Sequence, residues 1–191
     1  MAGTPTNTTA NTNKWSTRQL VTMALMTAIG VLLSFIEFPL LPGVTWLKFD
    51  ASNMPAMVAG FAYGPGGGVL TAILHGLLMA DFSGAVMNII VVLFYVLPAA
   101  LIYKRMHTFA GAIIALVVGT LLAVVGAVLG NLVITPAWLG VPLDAVIAMI
   151  VPILIPFNLL KGALNSVLTL IIYKSISNLI TPKKDQKKGR A

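Results

Sequence analysis

The feature that most limits what this chain can fold into is the run VIAMIVPILIPFNLLKGALNSVLTLIIY, residues 146 to 173, whose one charge is Lys161. The run exceeds the ~20 apolar residues that an α-helix needs to cross a bilayer. A helix is the form expected there, because it satisfies its own backbone groups where no water can. Lysine at that depth costs roughly 2.5 kcal/mol or more, so it must face protein or a wet cavity and find partners. Asn158 and Asn165 lie three residues before and four after it, which puts all three polar groups on one helix face. That face reads as the wall of a polar pocket, with the two amides as the expected partners of Lys161.

Composition supports a membrane class for the whole chain. Of its 191 residues 58% are hydrophobic and 9% charged, with a mean hydropathy of +0.96, against ~25% charged in a soluble domain. One membrane domain over 18–178 accounts for the length, between a polar Thr/Asn-rich lead-in over 1–17, expected to be disordered and cytosolic, and a basic tail over 179–191. The lead-in has no basic n-region, short apolar core and cleavage site, so the first apolar run is expected to serve as both targeting signal and first span. The net charge of +7 gathers at a few positions, above all KKDQKKGR, which suits a membrane-proximal tail and not nucleic-acid binding. With no cysteine, thiolate chemistry and disulfides are excluded.

Breaks at Gly, Pro and charge divide the apolar sequence into six segments, about 18–36, 51–63, 66–80, 86–103, 109–133 and 145–177. The second and third are short and separated by Gly64-Pro65-Gly66-Gly67-Gly68, and Pro152 and Pro156 are expected to kink the sixth just before Asn158. Six alternating crossings put Lys14, Arg18, Lys104, Arg105 and the tail on one side, which the positive-inside rule makes cytosolic, together with both termini. Glu37, Asp50, Asp81 and Asp144 then fall outside, and Lys48 is the basic exception there.

The first outer loop, FPLLPGVTWLKFDAS over 38–52, reads either as a cap on an outward-opening cavity or as a connector with belt aromatics. Asn88 and Asn131 are isolated amides in apolar segments, suited to helix-helix adhesion or to a pocket. With Asn158 and Lys161 they converge on the outer half of the bundle, and a mostly apolar pocket with a few placed polar groups suits a small molecule. Ala24 and Ala28 form a small-xxx-small pair that lets another helix approach, in this chain or in a partner. His75 and His107 lack ligand-spaced neighbours, so no metal is expected. No catalytic triad, carboxylate pair or nucleotide loop is present, and GPGGG lacks the Lys and Ser/Thr of a phosphate loop.

The six short spans, LKFDASNMPAMVAGFAYGPGGG (47–68), the AxxxA pair, and especially IPFNLLKGALNSVLTLIIYK (155–174) resemble the substrate-binding S components of energy-coupling factor (ECF) vitamin transporters, most of all the riboflavin-specific members. The resemblance covers nearly all of 18–178. It implies an all-α membrane protein with six transmembrane helices, cytosolic termini and an outward-facing pocket capped by the first outer loop. It further implies a non-enzymatic bacterial plasma-membrane subunit without a cofactor, which binds riboflavin from outside and passes it on through a membrane T component and two cytosolic ATPases. By the same resemblance Leu47, Lys48, Asn131, Asn158 and Lys161 are ligand-binding residues, Asn88 is added to them from its place in the outer half of the bundle, and Ala24 and Ala28 face the T component. Lys48 stands where the family more usually has a small hydroxyl residue. An amide offers donor and acceptor to a flavin imide edge, and a lysine offers donors to hydroxyls and carbonyls. A neutral vitamin brings no counter-ion for Lys161, which is expected to be hydrogen-bonded, hydrated or deprotonated.

The alternatives are an S component for folate, thiamine or biotin, a membrane enzyme of lipid or prenyl chemistry, and a channel. The enzyme would need clustered acids for a divalent metal, whereas these are scattered. The channel would need polar groups continuing to the cytosolic side.

Overall fold

The computed structural model describes residues 15–79 and 82–180, with the side chains of Ser83 and 174–180 excepted. Most of the expected lead-in, Asp81 and all but the first two residues of the expected tail therefore lie outside the described residues. Helix α1 spans Thr17–Ser34. A two-stranded antiparallel ribbon follows, β1 (Phe38–Pro39) with β2 (Lys48–Phe49). The chain then continues through α2 (Asn53–Leu77), α3 (Phe82–Met106), α4 (Phe109–Leu139), α5 (Leu143–Met149), a π-helical turn over Ile150–Leu154, and α6 (Ile155–Ile180).

Local chemistry sets the ends of these helices. Ser16 and Gln19 form a reciprocal capping box that starts α1, Thr108 caps α4 through the Gly111 N–H, and Gly140, in the left-handed region, ends α4. Helix α4 runs six residues beyond the expected end at 133, passing Pro136 before Gly140 ends it. Between α5 and α6 the expected kink takes the form of the π-helical turn. Pro152 and Pro156 each remove a backbone donor, and the widened turn carries the helix past them without a break.

Helix α2 contains the GPGGG sequence and is two arms joined by a reversal. Gly64 has φ 81° and ψ 179°, a conformation that a side chain would oppose. The arms then pack closely, since a Cβ on Gly68 would lie 2.7 Å from the Gly60 Cα and 3.1 Å from the Ala56 carbonyl. At 1.5 Å per residue each arm is about 17–20 Å long. Counted by length and composition, five helices among the described residues can cross a membrane: α1, α2, α3, α4 and the continuous 143–173 unit.

Helix α3 packs most extensively on α4, while α6 lies against α4 and α2. The buried core is rich in small side chains, among them Ala99, Ala112, Ala115 and Ala127, which bring helix axes close. The outside stays greasy: Leu25, Leu32, Val117, Leu121, Val133 and Ile171 are all exposed, as lipid contact would require. One end of the bundle gathers Trp15 against Gly66, Phe61 stacked on Tyr103, and Tyr173 edge-on to Phe61, beside the basic Lys104–Arg105 pair. The β-ribbon and the cavity beneath it occupy the opposite end.

Candidate functional site

The cavity has a volume of about 450 Å³, within the usual range for small-molecule pockets. Five parts of the fold supply its walls: the ribbon loop, Met79 just after α2, the start of α3, the C-terminal third of α4, and α6 just after the π-turn. Leu47, Lys48, Asn88, Asn131, Asn158 and Lys161 all line it. The lining is otherwise largely apolar, with Met87, Val91, Ile134 and Phe157, and two indoles, Trp46 and Trp138, meet edge to face at 6.2 Å.

Two of the polar wall residues, Asn131 and Asn158, are oriented by their own helices. Asn131 donates to the Ala127 carbonyl at 2.7 Å and accepts from the Thr135 hydroxyl at 2.7 Å. Asn158 donates to the Leu154 carbonyl at 2.8 Å, the last residue of the π-turn. An amide group can make four hydrogen bonds, so both keep capacity for a ligand while their rotamers are held. Asn88 lies 3.4 Å from the His75 imidazole, through which the wall reaches α2.

The partner of Lys161 corrects the sequence reading. Its ammonium donates at 2.8 Å to Asp50 and at 3.4 Å to the Lys48 carbonyl, not to Asn158 or Asn165. Asn165 instead turns its amide to the Asp50 carbonyl and the Lys161 carbonyl, both at 3.1 Å. So Lys161 is neither without a counter-ion nor dependent on a ligand for one. It pins the base of the ribbon loop to the second turn of α6. Asp50 is 7% exposed. Burial alone would raise its carboxyl, but the charge and hydrogen bond of Lys161, with the Ser52 hydroxyl and backbone N–H, outweigh this and hold it below the ordinary carboxylate value.

A second ion pair stands at the rim. Lys48 donates to Glu37 at 2.5 Å, and both side chains are nearly half exposed. The ribbon register, Phe38 opposite Phe49 and Pro39 opposite Lys48, sets Glu37 diagonally across from Lys48. The sequence reading left out Glu37, Asp50, Thr135 and Trp138 as site residues. For Asp50 a signal existed: a lysine at membrane depth demands an anion, and few acids are available. For the others, only the packing of distant segments reveals them.

Ala24 and Ala28 are exposed on α1, whose buried residues are Met23, Thr27 and Gly30. Among the described residues the pair is therefore not packed, and Gly30, close in sequence, belongs to the opposite face against His75.

Comparison with known proteins gives a consistent result. The family model for the substrate-specific component of ECF transporters matches residues 18–173. The riboflavin transporter RibU of Staphylococcus aureus is 29% identical over 88% of this chain and 95% of its own length. The riboflavin transporter FmnP of Bacillus subtilis is 29% identical over 82% of this chain and 90% of its length. A solved structure described as the S component of a bacterial ECF transporter superposes with a TM-score of 0.74 at 26% identity, covering 86% of this chain and 98% of that one. This chain belongs to the substrate-specific components of ECF transporters, a family of multi-pass membrane transport subunits and not of enzymes.

Proposed function

We propose that this protein binds riboflavin at the outer face of a bacterial cell membrane and delivers it through a membrane T component driven by two cytosolic ATPases. The observation that carries the ligand assignment is the charge balance of the cavity. Its charged lining residues are Glu37, Lys48, Asp50 and Lys161, two cations and two carboxylates joined in pairs. Such a wall suits an uncharged molecule with a flat apolar ring and several hydroxyls. It offers no unmatched charge to the carboxylates of folate and biotin or to the cationic ring of thiamine. The names of the relatives point to the same vitamin.

In this reading the two arms of α2 each count as a crossing, giving six, with both termini in the cytosol and the ribbon loop outside as a cap. Asn131 and Asn158 meet the polar edge of the flavin, Asn88, Leu47 and Lys48 complete the contact, and Lys161 serves ligand and loop at once. Titration of the purified protein with riboflavin, followed by flavin fluorescence quenching, tests the assignment. Asn158→Ala should weaken binding about tenfold, the equivalent of ~1.4 kcal/mol for a lost buried hydrogen bond. A wild-type protein that leaves flavin emission unchanged overturns the reading.

The exposed Ala24–Ala28 face is the surface offered to the T component. Ala28→Leu should abolish uptake in cells while riboflavin affinity stays within twofold of wild type, because a bulky side chain there blocks close helix approach without touching the cavity. Loss of binding alongside uptake would remove α1 from the interface.

A further inference from the structure

The two ion pairs of the cavity differ in whether they can exchange partners. Lys161 and Asp50 are 16% and 10% exposed at the side chain. Neither can turn to a ligand's charge without leaving the other buried and uncompensated, which is strongly unfavourable. Lys48 and Glu37 are 45% and 43% exposed. Water can take up either one, so the pair contributes little and is open to competition. A charged ligand therefore meets its test at the rim.

We propose that Glu37 is a specificity-determining residue which, by occupying Lys48, makes the cavity select the free vitamin over flavins that carry a terminal phosphate. This rests on the riboflavin reading above and adds to it a named source of discrimination. A phosphate monoester brings about −1.5 to −2 charges at neutral pH and strong acceptor oxygens. Lys48, on the loop that roofs the cavity, is the exposed cation available to receive it. With Glu37 in place the phosphate must displace a carboxylate that the ribbon register already holds at 2.5 Å from the ammonium, and it must approach that carboxylate's own charge. With Glu37 neutral, Lys48 would become an anion-binding group at the mouth. Specificity built this way works by repulsion as much as by attraction.

The experiment compares riboflavin with riboflavin 5′-phosphate by fluorescence quenching on wild type, Glu37→Gln, Glu37→Asp, Lys48→Glu and the double variant Glu37→Gln/Lys48→Met. The readout is the ratio of the two dissociation constants, phosphate ester over free vitamin. Glu37→Gln should lower that ratio about fivefold or more, Glu37→Asp should keep it near wild type, and Lys48→Glu should raise it. The gain in Glu37→Gln should vanish in the double variant and shrink as ionic strength rises. A ratio within twofold of wild type in Glu37→Gln overturns the proposal, and so does a gain that survives in the double variant or at high salt. Far-ultraviolet circular dichroism and the thermal melt of each variant report that it has folded, independently of flavin binding. Wild type that binds neither flavin sinks the riboflavin reading itself, whereas riboflavin binding with an unmoved ratio sinks only the role of Glu37.

Discussion

The ribbon loop is fastened at two places by the same kind of bond, and the two places behave as different materials. At its base Asp50 meets Lys161 across 111 residues of sequence, with Ser52 and Asn165 completing the set around the carboxylate and its carbonyl. Along the ribbon itself Glu37, just before the first strand, meets Lys48 across 11 residues, beside water. The inner pair is long-range, desolvated and surrounded by further donors, so it can fix where the loop sits on the helices. The outer pair is local and solvated, so it can shape the ribbon and the mouth but holds little down. Burial, not distance, decides the contrast, since the N–O separations are 2.8 and 2.5 Å.

The strongest way to break the comparison is to remove one half of the inner pair. Asp50→Ala leaves a buried ammonium without its anion, and losses of about 3–5 kcal/mol are typical of such orphaned charges. Riboflavin affinity should fall by roughly two orders of magnitude or more. Lys161→Ala strands the carboxylate instead and should cost a similar amount. Combining the two substitutions should restore part of the loss, because neither charge is then unpaired, and a double-mutant cycle read by flavin quenching measures that coupling. Strictly additive losses would mean that the pair does not act as a unit.

Protonating the same group gives a milder break. The Asp50 carboxyl is held below its ordinary value of 3.8 in the folded loop. The open or unfolded chain therefore takes up the proton first, and stability from this pair rises with pH until 3.8 is passed. Loop closure should be flat from pH 8 to about 5 as far as Asp50 is concerned, and should fall only as pH drops below 3.8 through the depressed value. Trp46 meets Trp138 edge to face with the loop in this position, so a loss of closure should change tryptophan emission, and emission of the ligand-free protein against pH measures this. A transition near neutrality that disappears in Asp50→Asn would contradict the assignment.

Much of the cavity could be read from single residues. Lys161, Asn131, Asn158 and Asn88 each stand out as a polar group in an apolar helix, where the cost of burial makes chance placement improbable. The family resemblance added Leu47 and Lys48, residues that no periodicity marks. The reversal at Gly64 was legible too, because glycine and proline punctuate helices by rules of backbone geometry. What stayed hidden was the pairing of Lys161. Asn158 and Asn165 share its helix face, and a one-dimensional pattern favours such neighbours. The true partner arrives from the loop only when α2 and α6 pack, and side-chain periodicity carries no information about which helices become neighbours. Thr135 and Trp138 stayed hidden for a related reason, since they lie beyond residue 133, where the apolar run had seemed to end.

Hydrogen exchange along the loop sharpens the contrast further. The segment just after the ribbon, residues 50–52, is held by Lys161 and Asn165 whether or not a ligand is present, so its amides should already be slow in the free protein. Residues 40–47, between the strands, have the Trp46–Trp138 contact and the Leu41–Val44 turn and little else to hold them. Riboflavin should slow those amides about tenfold or more as the cap seats, since lids of this kind open on microsecond to millisecond or slower timescales. Equal protection of 40–47 with and without riboflavin would make the loop a fixed roof and not a gate.

The smallest effect is expected at the outer pair. Lys48→Ala removes one partner of an exposed ion pair, which ordinarily changes stability by less than about 1 kcal/mol, and Glu37 is then free to hydrate. Riboflavin carries no charge for Lys48 to neutralise, so its affinity should change by no more than about fivefold, well short of the loss at Asp50. The residual change should weaken with added salt, because an exposed pair is screened over a Debye length of about 8 Å at physiological ionic strength. The inner pair, out of reach of mobile ions, should show no such dependence. A Lys48→Ala loss as large as that of Asp50→Ala, and equally insensitive to salt, would mean that the rim closes over the ligand and becomes buried in the bound state, and the division between a buried inner pair and a solvated outer pair would then hold only for the empty cavity.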